Sequence, residues 1–194
     1  MSLLRRAVRG GYPQFNNYTT PYSMQYGSAG YVSGAGQRVD ETTAFGISTV
    51  LACVSLLADT VASMRLTLVG DGGNLPLPGW LAEPDPGNTD LFEFLHTTVA
   101  SMALHGNAYT LVSRDVAGRP AGLVSLHPYQ MQVLPGDGSS SRRYLHLGNE
   151  LESEDVLHGR WLTPPQSLVG VSPLVQSRVL FGLQLAMDNH LANW

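Results

Sequence analysis

Lysine is absent from the sequence, in which all 11 basic residues are arginine. Walker-type phosphate loops, Schiff-base enzymes and lysine general bases need that side chain, so these chemistries are excluded. Charged residues make up only 13% of the chain, which is about half the usual quarter. A surface so poor in charge indicates that part of it faces another protein.

Cysteine is nearly absent as well, since Cys53 stands alone. A single thiol excludes an intramolecular disulfide and a multi-cysteine zinc site. Its place inside an apolar helical pattern predicts a small, buried packing residue. No apolar run has the length or flanks of a signal peptide or a membrane span, which predicts a soluble protein made in the cytoplasm.

The charges that do occur divide the chain into two parts. Residues 1–39 hold four arginines and no acid, whereas residues 40–194 hold seven arginines and fifteen acids, so a +4 arm precedes a −8 body. The arm is rich in Gly, Asn, Ser and Tyr and buries too little apolar surface to offset its ordering entropy, so we expect it to be flexible. Interleaved arginine and tyrosine suit nucleic-acid or partner binding; an extended tail that only decorates the body is the alternative.

Two amphipathic helices are predicted in the body. Thr42 or Thr43 caps the first, whose apolar residues recur at spacings of three and four: Ile47, Val50, Leu51, Val54, Leu57, Ala58 and Val61. The second covers about residues 90–105, is capped by Thr89 or Asp90 and ends at Gly106. It presents to the core Leu91, Phe94, Leu95, Val99 and Met102.

A two-residue period predicts short strands joined by turns at residues 65–69, 108–113, 123–126, 131–134, 144–147 and 156–158. Together with the helices, these strands predict an α+β fold, in which two amphipathic helices pack on a small, mostly antiparallel sheet. The expected domains are the arm at 1–39, an α+β domain at 40–165 and a helical segment at 166–194.

The helical segment begins with Ser172 as cap and Pro173 in the first turn. A helix over residues 173–194 would span about 33 Å. Its apolar face would consist of Val175, Val179, Leu183, Ala186, Met187, Leu191 and Trp194. No stop signal follows, so we expect the natural protein to continue beyond Trp194.

The sequence shows no catalytic or metal-binding constellation. The six histidines lack metal-ligand spacing, and we expect no metal and no cofactor. Gly170-Val-Ser172-Pro173 superficially resembles a nucleophilic serine turn, yet the proline and the missing second glycine favour a helix cap. The acidic run 150–155 lacks the positions of a calcium loop and predicts a solvated loop.

A series of short segments follows in a fixed order along about residues 40–194, namely Val50–Ser55, Ala58–Ala62, Leu81–Pro86, Leu104–Tyr109, Arg114–Gly118, Leu126–Pro128, Glu154–His158 and Gly170–Leu174. In their order and spacing, these segments resemble the portal protein family of long-tailed phages. Asp85 and Gly159 depart from the family pattern. The residues expected to be architectural are Gly106, Asn107, Ala108, Tyr109, Pro128, His158, Gly170, Ser172 and Pro173.

The resemblance implies a non-enzymatic subunit of a dodecameric ring at the capsid vertex, in the virion after assembly in the host cytoplasm. Double-stranded DNA would pass through the ring without sequence specificity. Implied partners are the major capsid or scaffold protein, the terminase large subunit and a head–tail adaptor, with no membrane. Residues 40–165 would form a wing-like domain, and the final helix would lead toward the stem. The alternatives are a prophage remnant or interaction module that never assembles, and a small hydrolase using Ser172 or a His–Asp pair.

Overall fold

The computed structural model describes residues 31–32, 38–136, 142–165 and 167–192. In these ranges the α-helices are α1 (Glu41–Phe45), α2 (Ser48–Ala62), α3 (Gly79–Ala82), α4 (Leu91–His105), α5 (Pro173–Gln176) and α6 (Arg178–Ala192). The strands are β1 (Tyr31–Val32), β2 (Arg38–Val39), β3 (Leu68–Gly70), β4 (Gly73–Leu75), β5 (Asn107–Arg114), β6 (Pro120–Leu126), β7 (Met131–Pro135), β8 (Arg142–His146), β9 (Asn149–Leu151) and β10 (Val156–Arg160).

The predicted mixture of helices and antiparallel strands is confirmed. Two three-stranded antiparallel sheets form, with the orders β10-β5-β6 and β7-β8-β9. The expectation of one sheet was wrong, because a 3₁₀ turn at Pro128–Gln130 separates β6 from β7. Proline fixes φ and has no N–H to donate to a ladder, so pairing ends there and the chain enters a second sheet.

The start of the body differs from the prediction at one cap. The side chain of Asp40 caps α1, accepting a hydrogen bond from the N–H of Thr43, and the Thr43 hydroxyl accepts one from the N–H of Asp40. This reciprocal pair fixes the start of α1, which ends at Phe45, and α2 begins separately at Ser48. At α4, the expected cap is present, since Asp90 Oδ1 accepts from the N–H of Glu93 at 2.8 Å.

Helix α2 packs against α4 through small side chains. Its buried residues are Val54, Ala58 and Ala62. Alanines allow two helix axes to approach closely, and the larger predicted core residues Leu51, Leu57 and Val61 are between 38% and 47% exposed. The seven-residue stripe was therefore wrong at these three positions. Cys53 is also exposed, which corrects its expected burial.

The core consists of two clusters. The first joins Ala44, Val54, Leu104 and Leu174 and lies between the helices. The second lies between the sheets and joins Tyr109, Met131, Val133, Tyr144 and Val156.

The C-terminal segment is not one continuous helix. Ser177 has φ −92° and ψ 5°, which separates α5 from α6, so the expected uninterrupted helix over 173–194 was wrong. Phe181 and Leu185 of α6 pack against the first cluster. The predicted apolar face is instead exposed at Val179, Leu183, Met187 and Leu191.

Parts of the predicted arm and of one hairpin loop lie outside the described residues, namely 1–30, 33–37 and 137–141. Within the arm, Tyr31–Val32 pairs with Arg38–Val39. Residues 193–194 also lie outside the described ranges.

Candidate functional site: the Asn107 junction

Gly106 lies at the corner where α4 ends and β5 begins. It adopts φ +72°, and its N–H donates to the carbonyl of Met102 at 2.8 Å. A Cβ at this position would collide with the carbonyl oxygen of Val171. Glycine is needed for both reasons, since other residues resist the left-handed conformation and have no space there.

The side chain of Asn107 is 1% exposed and fills all its hydrogen-bonding positions. Its Oδ1 accepts from the N–H of Gly170 at 2.7 Å and is 3.0 Å from Nε2 of His158. Its Nδ2 donates to the carbonyls of His105 and Gly170, both at 3.0 Å. One side chain thus joins the end of α4, strand β10 and the segment before α5. We call Gly106, Asn107, His158, Gly170 and Ser172 the Asn107 junction.

His158 is neutral in this arrangement. Because Asn107 Oδ1 is an acceptor, Nε2 of His158 carries the proton, and Nδ1 lies 3.4 Å from the hydroxyl of Tyr144, which can donate to it. The ring stacks on Tyr109 with centroids 4.3 Å apart. Burial, together with the positive charges of Arg160 and Arg142, lowers the pKa of His158 from 6.5 to about 3.

Ser172 connects the start of α5 to the end of α4. Its hydroxyl donates to the carbonyl of Leu104 at 2.9 Å and accepts from the N–H of Val175 at 3.2 Å. The side chain is 4% exposed. This cap therefore fixes where the C-terminal helices leave the body.

Gly170 lies where two backbone segments cross. A Cβ there would collide with the carbonyl oxygen of Gly106, and the same oxygen accepts from the N–H of Trp161 at 2.9 Å. The close approach leaves no space for a side chain, so the two backbones can cross only if both Gly106 and Gly170 are glycine.

The structure brings five of the nine predicted residues into the junction itself. Tyr109 stacks on its histidine, Pro173 occupies the first turn of α5, and Ala108 follows Asn107 in β5. Pro128 does not join them and is buried at the 3₁₀ turn. The family-motif role of all nine stays a prediction.

Two hydrogen-bonding partners of the junction were not predicted from the sequence, namely the hydroxyl of Tyr144 and the carbonyl of Leu104. Tyr144 alternates onto the buried side of β8, which is typical of a core aromatic and gives no sign that its hydroxyl faces His158. Backbone acceptors have no sequence signature at all. Both contacts depend on how distant segments meet.

A groove of about 320 Å³ lies beside the junction, between α4 and the end of β6. Its walls are mostly apolar, with Phe45, Leu104 and Leu126 among them, and its titratable side chains are His105, His127 and Tyr109. The rings of His105 and His127 are 5.6 Å apart. Among the residues that the structure describes, no carboxylate lines this groove.

The form of the hydrolase alternative that uses Ser172 requires this serine to be an accessible nucleophile. Its buried hydroxyl is instead used at both ends as a helix cap, which argues against that alternative. Among the described residues, no three His, Cys, Asp or Glu side chains are grouped closely enough to hold a metal ion. No helix in the described ranges combines the length and apolar character needed to cross a membrane.

Two comparisons of sequence identify relatives. The family described as phage portal protein matches residues 48–194. The probable portal protein of Streptomyces phage phiC31 is 30% identical over 189 residues, covering 88% of this chain and 41% of that protein.

Solved structures show the same fold at lower identity. An HK97 family phage portal protein from Corynebacterium diphtheriae has a TM-score of 0.60 at 20% identity, over 79% of this chain and 49% of that one. A chain from the neck of an empty gene transfer agent (GTA) particle, computed with C6 symmetry, has a TM-score of 0.65 at 19% identity, over 99% and 50%. The chain thus spans half or less of these relatives' lengths. Because the family match covers most of its residues, the chain belongs to the phage portal protein family.

Proposed function

We propose that this protein is a structural subunit of a portal ring at the capsid vertex, where the ring forms part of the conduit for packaging and ejecting DNA. The observation that carries the proposal is the portal family match over residues 48–194. Fold similarity to a chain from the neck of a GTA particle supports it. The mechanism is geometric, since a closed cyclic arrangement of identical subunits leaves a central hole.

The Asn107 junction supplies the rigidity that such a subunit needs. It fixes α5 to the end of α4 through Ser172 and to the sheet through Asn107 and His158. We propose that residues 40–165 form the wing-like domain and that 166–194 leads toward the stem. A rigid joint between them keeps every subunit's outgoing helix at the same angle.

The net negative charge of residues 40–194 favours weak binding of DNA. Residues 40–194 carry a net charge of −8, and three of their seven arginines are paired with acids, in Arg114–Asp155, Arg119–Asp115 and Arg143–Glu150. Tight phosphate binding needs uncompensated positive charge. The body would therefore let double-stranded DNA pass without binding its backbone tightly.

The proposed partners are the major capsid or scaffold protein, the terminase large subunit and a head–tail adaptor. Because the arm carries a charge of +4, we propose that it contacts capsid, scaffold or DNA. Deleting residues 1–39 should reduce incorporation into particles or DNA packaging. Unchanged incorporation and unchanged packaging would refute this role of the arm.

Electron microscopy of the purified protein tests the ring directly. We expect closed rings with twelve-fold symmetry. Particles that remain monomeric at every concentration would contradict the proposal and would favour an interaction module that never assembles.

A further inference from the structure

Two helices expose apolar faces that the described part of the chain leaves uncovered. On α2 the face consists of Cys53, Leu56, Leu57, Thr60 and Val61, opposite the buried alanines, and Leu56 is 68% exposed. On α6 it consists of Val179, Leu180, Leu183, Met187 and Leu191, opposite Phe181 and Leu185, and Leu180 is 69% exposed. We call these sets the α2 face and the α6 face.

Both faces have the chemistry of an interface centre. Each exposes three or more large apolar side chains, and contiguous exposed apolar patches mark interaction sites. A standard interface has an apolar centre and a polar rim. By the helical spacing, the charged residues Asp59 and Asp188 project away from the two faces, and His190 lies beside Leu183 and Met187 on the α6 face.

Helix α6 has a particular need for a partner. It packs on its own chain through Phe181 and Leu185. A helix of 15 residues is marginal alone in water and depends on packing of its apolar side chains. Covering the α6 face would supply that packing.

We infer that the α2 face of one subunit binds the α6 face of the next subunit in the ring. This inference rests on the proposed ring. A ring with more than two subunits requires a head-to-tail contact between two different surfaces, because a surface that binds its own copy closes as a dimer. The α2 face and the α6 face are two different surfaces of similar size and apolar character, as such a contact requires.

Crosslinking through the natural Cys53, which lies within the α2 face, tests the contact. Leu183→Cys and Met187→Cys, made singly, would each place a second thiol in the α6 face. A bis-maleimide with a span of about the 8–10 Å between packed helix axes should then join subunits in series. We expect denaturing gels to show a ladder of three and more subunits in at least one variant.

Three controls define the alternatives. Cys53→Ser combined with Leu183→Cys has one thiol and should give no product beyond a dimer. Val116→Cys adds an exposed thiol on the β5–β6 turn and should give no ladder with Cys53. Urea unfolding checks that each variant is folded before crosslinking. If one of the two α6 variants does not fold, the other is used.

Products limited to dimers, or crosslinks within one chain, from both α6 variants would overturn the inference. Electron microscopy of the unmodified protein separates this failure from that of the proposed function. Rings without a ladder would refute the α2–α6 contact and leave the ring standing. Absence of both would refute the two together.

Discussion

Replacing His158 with glutamine tests whether the Asn107 junction holds the body together. The imidazole is neutral in the folded protein, donates through Nε2 to Asn107 and stacks on Tyr109. Protonation would place a charge in a buried site beside Arg160 and Arg142, whose positive charges already oppose it. Glutamine keeps an N–H that can donate to Asn107 and has no group that titrates in this range.

The expected magnitude follows from the two pKa values. His158 titrates at 6.5 in the unfolded chain and at about 3 in the folded protein. Between these values the unfolded chain binds the extra proton, so stability falls as pH decreases and the contribution is intact above pH 6.5. From neutral pH to pH 4 the loss is at most about 3 kcal/mol, because each unit of pKa difference is worth about 1.4 kcal/mol.

Urea unfolding of the wild type and of His158→Gln at a series of pH values between 7 and 4 measures this loss. We expect the variant to be less stable at pH 7, through lost stacking, but to lose about 2–3 kcal/mol less than the wild type on acidification. His96→Gln, at a partly exposed histidine near Asp59, is the matched control for loss of a histidine outside the Asn107 junction. If the free energy of unfolding changes with pH in the same way in the wild type and in His158→Gln, His158 is not a buried, neutral histidine.

Three further substitutions have definite expected outcomes, each measured as a free energy of unfolding in urea. Gly106→Ala should cost about 2–4 kcal/mol or prevent folding, because it combines a left-handed backbone with a collision at Val171; a loss below 1 kcal/mol would contradict the close crossing. Asn107→Ala should cost about 3–5 kcal/mol, since it leaves several buried partners without a hydrogen bond. An unchanged free energy of unfolding would show that the Asn107 junction does not stabilise the fold. Asp90→Ala should cost about 1 kcal/mol by deleting the α4 cap, and an unchanged stability would mean that the cap contributes nothing.

Elements with strong local signals could be predicted from the sequence. The caps at Asp90 and Ser172 and the helix end at Gly106 depend on a side chain and its near neighbours, and all three are found where the pattern places them. The strand periods after Asn107 were equally informative, since alternation onto a buried face is a local property.

The buried side of α2 could not be predicted from the pattern. Apolar residues of different sizes lie next to one another on this helix, so hydrophobicity alone does not decide which of them meet α4. The predicted stripe included Ala58, which is buried, but close helix packing also buries Ala62 and leaves Leu57 exposed.

The hydrogen bonds of the Asn107 junction could not be predicted from the sequence either. Asn107 and Gly170 are 63 residues apart along the chain, and the hydrogen bonds between them form only when two backbones cross. The family resemblance selected both residues without indicating that they touch. Asn107 was expected only to be architectural, whereas in the fold it is a buried residue whose side chain joins three segments of the chain.

Native mass spectrometry of the full-length protein tests the proposed ring most directly, because it counts subunits. The portal ring predicts a dominant species of about twelve times the mass of one subunit. A spectrum that contains only single subunits, at every concentration and salt condition, would contradict the ring.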